Sequence, residues 1–296
     1  SSWNQVGNDI DGEATWDLFG HSVSIDSDGS HVAIGARNND GNGSDSGHVR
    51  IYSWDGSAWS QVGNDINGEA SGDYSGYSVS IDSDGSHVAI GAKSNDGNGS
   101  DSGHVRVYSW DGSAWAQVGN DIDGEAAYDS SGISVSIDSD GSHVAIGAEV
   151  NINGTGSGHV RIYEYSSGSW TQVGIDIDGE AASDNSGYSV SMDNTCAHVA
   201  VGAPFNDGNG DNAGHVRVWA PYGVSGVSPD VNVNTLTTSG ATTAGSLTVD
   251  SVVIDGTTIG HSSDSDLMTL ASGSLTVAGD VTISSDARLK SNIVAL

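Results

Sequence analysis

The sequence predicts an all-β fold: four repeated four-stranded units, then a separate β-rich segment. Three observations predict it. First, "WNQVGNDIDGEA" at 3–14 returns as "WSQVGNDINGEA" at 59–70, "WAQVGNDIDGEA" at 115–126 and "WTQVGIDIDGEA" at 170–181. The tryptophan spacings are 56, 56 and 55 residues. Second, apolar residues alternate with polar ones at period two between clusters of Gly, Asp, Asn and Ser, and no stretch sustains a helical period. Third, the 296 residues include 43 Gly and only 35% apolar residues, a composition suited to short strands and tight turns.

Each repeat resolves into four strands. "HSVSID" carries Val23 and Ile25 on one face, and "HVAIGA" carries Val32 and Ile34. "DSDG" joins them, an Asp-Gly hairpin turn that tolerates positive φ. "HVRIYSW" sets Val49 and Ile51 against Arg50 and Tyr52. After "DGSA" comes the Trp-Xaa-Gln-Val strand, first met at Trp3–Val6. The third repeat is one residue shorter, because "GARNNDGNGSDSGHV" becomes "GAEVNINGTGSGHV".

Four antiparallel strands repeated at this period form the blade pattern of a β-propeller, since a lone blade cannot bury its faces. The chain enters on a fourth strand and leaves its last repeat after a third. Pairing those two ends would close a ring of four blades within 1–222. "FG" at Phe19–Gly20, then "SV", "GA" at Gly35–Ala36 and "GHVRIY" resemble the FG-GAP repeat of integrin-type propellers, and the fourth repeat spells "GAP" at Gly202–Pro204. The resemblance covers residues 3–219. It implies a binding module, with calcium as its usual ion. The Asp-rich segment that holds this ion in the family is shortened here to "IDSDGSH".

Propeller loops from strand two to three, and from strand four to the next blade, share one face, and here both are acidic. Calcium takes about 6–8 oxygen ligands. The candidate ligands are Asp40, Asn42, Asp45, Asp96, Asp101, Asp207 and Asp211. The repeated histidines (His31, His48 and their equivalents) spread around a ring, so they read as structural. So do Arg50, Arg106, Arg161 and Arg217, expected to pair with blade carboxylates, and the recurring tryptophans, expected to pack between blades. By contrast Trp16, Tyr74, Tyr77, Tyr128 and Tyr188 fall in or beside the acidic loop face, where aromatics suit carbohydrate stacking. They form the candidate receptor surface. Three NG[ST] sequons, at Asn42, Asn98 and Asn153, are explained by Asn-Gly turn chemistry.

From about Gly223 the repeat stops and Thr, Ser, Val and Gly dominate. "GSLTVDSVVI" at 245–254 partly recurs as "GSLTVAGDVTI" at 273–283. So few large apolar groups cannot build an independent core. The alternation at 223–283 fits strands that bury one face against copies of themselves, a trimeric shaft. "SSDARLKSNI", within 284–296, resembles the start of the intramolecular chaperone domain that ends phage tailspikes, tail fibres and endosialidases. That resemblance implies one self-cleavage beside Ser285–Asp286, with Ser285 as nucleophile and Lys290 as its base.

Eight Lys+Arg against 39 Asp+Glu, a net charge of −31, argue against nucleic-acid and anionic-membrane partners. A single cysteine, Cys196, allows no intrachain disulfide. No apolar run reaches membrane-span length. The start at "SSW", without Met or a signal peptide, reads as a processed or trimmed end. No nucleophile elbow, zinc motif or phosphate loop marks an enzyme. The function expected is a homotrimeric viral tail fibre on the virion surface, whose head binds a host glycan or protein receptor. A secreted or cell-surface calcium-dependent adhesin and a glycan-degrading spike enzyme are the alternatives.

Overall fold

The structure is a computed structural model that describes residues 2–150 and 156–221. All of them lie in the first of two compact units, Ser1–Asp230; the second is Val231–Leu296. The expected shaft and the chaperone motif, with Ser285, Asp286 and Lys290, lie outside the described residues.

Every regular element among the described residues is a strand, and the strands form four antiparallel sheets, one per repeat. The first sheet holds β1 (Phe19–Ile25), β2 (His31–Ala36), β3 (His48–Trp54), β4 (Trp59–Gln61) and β5 (Ile66–Asn67). β4 and β5 both pair with β3, so they are one fourth strand broken in the middle. The second sheet repeats this with β6 (Ser78–Ile81), β7 (His87–Ala92), β8 (His104–Trp110), β9 (Trp115–Gln117) and β10 (Ile122–Asp123). The third has β11 (Ser134–Ile137), β12 (His143–Ala148), β13 (His159–Ser166), β14 (Ser169–Gln172) and β15 (Ile177–Asp178). The fourth stops at three strands: β16 (Ser189–Met192), β17 (Val199–Ala203) and β18 (His215–Trp219).

The core lies between sheets, as blade stacking requires. Val49, Ile51 and Ile66 of the first sheet pack on Val79, Ile81 and Val88 of the second. Val105, Val107 and Ile122 pack on Val135, Ile137 and Val144, and Val160 meets Met192, Val199 and Val201. Each joint is also sewn by hydrogen bonds. Ser22 Oγ donates to Gly76 O, Ser78 Oγ to Gly132 O and Ser134 Oγ to Gly187 O, each at 2.8 Å. That approach explains the glycine of "GA": a Cβ on Gly91 would sit 2.1 Å from Gly132 O. The fourth-strand tryptophans do bridge blades, with Trp115 Nε1 donating to Val62 O at 2.9 Å and Trp170 Nε1 to Val118 O at 2.7 Å.

The ring closure expected from the two chain ends is not shown among the described residues. Residues 3–14 make no strand, and β18 has no fourth-strand partner among the described residues. The N-terminal segment lies instead against the first blade, where Val6 O accepts Trp59 Nε1 at 3.0 Å, the place a preceding fourth strand would take. Val23 is therefore 64% exposed, while its equivalents Val79 and Val135 are each 8%. At the other end Val218 is 65% exposed, against 1% for Val107.

Candidate functional site

In the first two blades the acidic loops do meet on one face. Asn42 Nδ2 donates to Gly68 O and Glu69 O, both at 2.9 Å, tying the strand-two-to-three loop to the loop that leads into the next blade. Asn98 does the same to Gly124 O and Glu125 O. A second tie is buried. Asn39 Nδ2 donates to Asp17 at 2.9 Å, Asn95 to Asp73 at 3.0 Å and Asn206 to Asp184 at 2.8 Å.

The buried aspartate anchors an unusual backbone. The residues on either side of it turn left-handed in every repeat: Trp16 and Leu18, Gly72 and Tyr74, Tyr128 and Ser130, Ser183 and Asn185. A side-chain-bearing residue in that region costs roughly 1 kcal/mol or more, so the clamp must hold it. The result is display. Trp16 is 81% exposed at φ 73° and Tyr128 is 61% exposed at φ 70°. Tyr188 is also exposed, on the fourth blade's loop. The expected receptor residues do not all gather. Trp16, Tyr128 and Tyr188 stand on three separate loops, whereas Tyr74 and Tyr77 share one guanidinium, with Arg37 Cζ 5.6 Å and 5.5 Å from their ring centroids.

Sequence reasoning missed Arg37 and its repeat equivalent Lys93, whose Nζ lies 4.8 Å from the Tyr77 centroid. It also missed His21, whose ring meets Tyr77 edge-on at 4.9 Å. These cations are the signal that was available. Among the described residues they are the only Lys or Arg outside the repeating G-H-V-R motif.

The candidate calcium ligands serve their own turns. Asp40 Oδ1 accepts Asp45 N, and Asp96 Oδ1 accepts Asp101 N, both at 2.8 Å; Asp207 Oδ1 accepts Asn212 N at 2.7 Å. Asp45 and Asp101 are themselves left-handed, and Asp211 is exposed beside Asn212. Among the described residues, the groupings that could hold a metal ion fall elsewhere, at Glu13–His48–Asp65 and Glu69–His104–Asp121. Neither fits calcium. A buried imidazole is not a ligand calcium favours, and a guanidinium already fills the space. Arg50 Nε bonds Asp65 Oδ1 at 2.7 Å, and its Nη2 pairs with Glu13. Arg106 joins Glu69 and Asp121 alike.

These clusters confirm the repeated arginines as ties between loop and blade. The Arg50 guanidinium holds the Glu13 and Asp65 carboxyls below their usual range. Beside it His48 is buried, and neither ring nitrogen has a hydrogen-bond partner. Its Nδ1 lies 3.8 Å from both Glu13 and Asp65. Burial, then Arg50, push His48 below the ordinary imidazole pKa, against the pull of the two carboxylates. Burial lowers His104 and His159 in the same way.

Residues 10–52, 67–108 and 172–219 match the family model described as the FG-GAP repeat. Three stretches of the chain thus resemble FG-GAP repeats. Each match takes in the anchored loop and the three strands after it. No curated protein matches the chain. Among solved structures, a candidate 6-phosphogluconolactonase from Bacteroides uniformis is 10% identical, with a TM-score of 0.47 over 70% of this chain and 52% of its own. Hydrazine synthase from Kuenenia stuttgartiensis is 13% identical, with a TM-score of 0.42 over 67% of this chain and 49% of its own. The chain thus spans about half the length of each, and similarity this slight carries no argument about activity.

Proposed function

We propose that the chain is a subunit of a homotrimeric viral tail fibre, exposed on the virion, whose FG-GAP blades bind a host-surface receptor, a glycan, through the loop face. The observation that carries this is the display of Trp16 and Tyr128. Large apolar rings held in water on left-handed backbone are costly twice over, and stacking on sugar rings is a use that repays both costs. The alternation at 223–283 supports the trimer, and "SSDARLKSNI" supports a fibre that processes itself once through Ser285 and Lys290. Self-cleavage is the only chemistry proposed; nucleic acid and membrane insertion form no part of it.

Solution mass and glycan binding test the proposal together. The full chain should run as a trimer and bind host polysaccharide, with Trp16→Ala and Tyr128→Ala each weakening that binding at least tenfold. A monomer, or binding indifferent to both changes, refutes it. The FG-GAP match favours one second reading, a calcium-dependent adhesin. Binding that disappears with a chelator and returns with calcium would select it.

A further inference from the structure

The geometry points to a binding site for a carboxylate-bearing saccharide at the junction of the first two blades, built by Arg37, Lys93, Tyr77 and His21. It deepens the receptor reading by naming where an acidic sugar would bind.

Charge pairing sets these residues apart. Arg50 and Arg106 each join two carboxylates, and Arg161 and Arg217 each lie near one. Among the described residues Arg37 and Lys93 join none, although the chain carries 39 Asp+Glu. Both instead approach one ring, that of Tyr77, at 5.5 Å and 4.8 Å. Two like charges on one ring repel each other, and a cation–π contact at a partly exposed position offsets only part of that repulsion. A bound anion would resolve the repulsion. Arg37 Nε is moreover buried without a hydrogen-bond partner, as is Asn38 Oδ1 beside it.

His21 packs on Tyr77, and burial, Arg37 and Lys93 in turn keep its imidazole below the ordinary pKa. It is therefore neutral near pH 7 and able to exchange hydrogen bonds with sugar hydroxyls. The guanidinium offers a planar fork for a carboxylate, and the ammonium a second point of attachment. The next equivalent positions lose the feature. Glu149 and Pro204 stand where Arg37 and Lys93 would be, and Ile133 stands where Tyr77 would be. The site is thus a single departure from the repeat. A net charge of −31 also restricts the ligand, because the field of the whole chain opposes polyanions. One or a few carboxylates on an otherwise neutral saccharide suit it best.

The test titrates the full chain by calorimetry with a trimer of galacturonic acid, a neutral trimer of galactose, and inorganic phosphate. The acidic trimer should bind, more weakly as salt rises. Arg37→Gln and Lys93→Gln should each weaken it by roughly tenfold, while Glu149→Gln, on the third blade, leaves it unchanged. Unchanged circular dichroism in each variant keeps the comparison to folded protein. Equal affinity for both trimers, or acidic-trimer binding that ignores both substitutions, overturns the site and leaves the receptor reading standing. Phosphate binding without saccharide binding also overturns it. Failure of every saccharide, host polysaccharide included, overturns both.

Discussion

Repeat-equivalent valines give a direct test of whether the blade array is open. Val107 and Val218 occupy the same place in β8 and β18, on opposite strands from the same kind of neighbour. Val107 is 1% exposed because the third blade packs over it; Val218 is 65% exposed because no described residue does. Truncating a buried valine to alanine removes two methyl groups and leaves a gap, at about 2 kcal/mol. The same truncation at Val218 deletes surface that is already wet, for about 0.5 kcal/mol or less. Urea unfolding followed by circular dichroism reads the difference. Val107→Ala should lower the midpoint clearly at unchanged slope, whereas Val218→Ala should barely move it. Val79→Ala and Val23→Ala form a second pair, 8% against 64% exposed, with the same expected order. If Val218→Ala and Val23→Ala cost as much as their buried counterparts, the ends are covered and the reasoning fails.

Three further outcomes are expected. His48→Leu removes two unpartnered buried nitrogens and should flatten the loss of stability on acidification. A histidine with a lowered folded-state pKa contributes stability that is full above its unfolded value, near 6.5, and falls with pH below it, by at most about 1.4 kcal/mol per pH unit. His87, raised by its bond to Asp82, acts in the opposite direction, so unfolding of both proteins across pH 5–8 isolates the His48 share. Arg106→Met should cost about 1–3 kcal/mol by leaving Glu69 and Asp121 facing each other unpaired, and adding Glu69→Gln should recover part of that loss in denaturant unfolding. Cys196, whose thiol burial pushes up to about 11, should react with a thiol reagent at pH 8 far more slowly than the unfolded chain does; equal rates would contradict that environment.

The strands were legible because each is set by its own residues. "HVAIGA" alternates, ends on turn-forming residues, and forms β2, β7 and β12 at the same bounds each time. The broken fourth strand was not legible, because its cause lies one blade away. Gly63 turns left-handed at φ 73°, and a Cβ there would sit 2.6 Å from the Trp110 ring. The strand parts so that the next blade's indoles can seat on it, and no window of neighbouring residues contains that information. The open ends were hidden for the same reason. Whether the first and fourth blades meet depends on the angle between blades, which accumulates over the three joints.

The candidate site divides along the same line. Residues that recur in every blade were read correctly as structure: Arg50 and Arg106 tie carboxylates, and the histidines are buried, bonded to aspartate or, at His215, set beside Glu180. A ring of equivalent positions cannot converge on one ligand, so repetition itself argues against a site. What differs between blades is therefore the better guide. Trp16 and Tyr128 stand where the other two blades have Gly72 and Ser183, although all four turn left-handed. Glycine accepts that backbone without strain, so the two aromatic blades bear a cost that the fold does not demand. Arg37 and Lys93 depart from the pattern in charge, and Tyr77 brings the two together from a loop some forty residues after Arg37. Their convergence needs the blade joint to exist. Subtracting the repeat from the sequence finds the candidates, but only the packed joint shows which of them share a site.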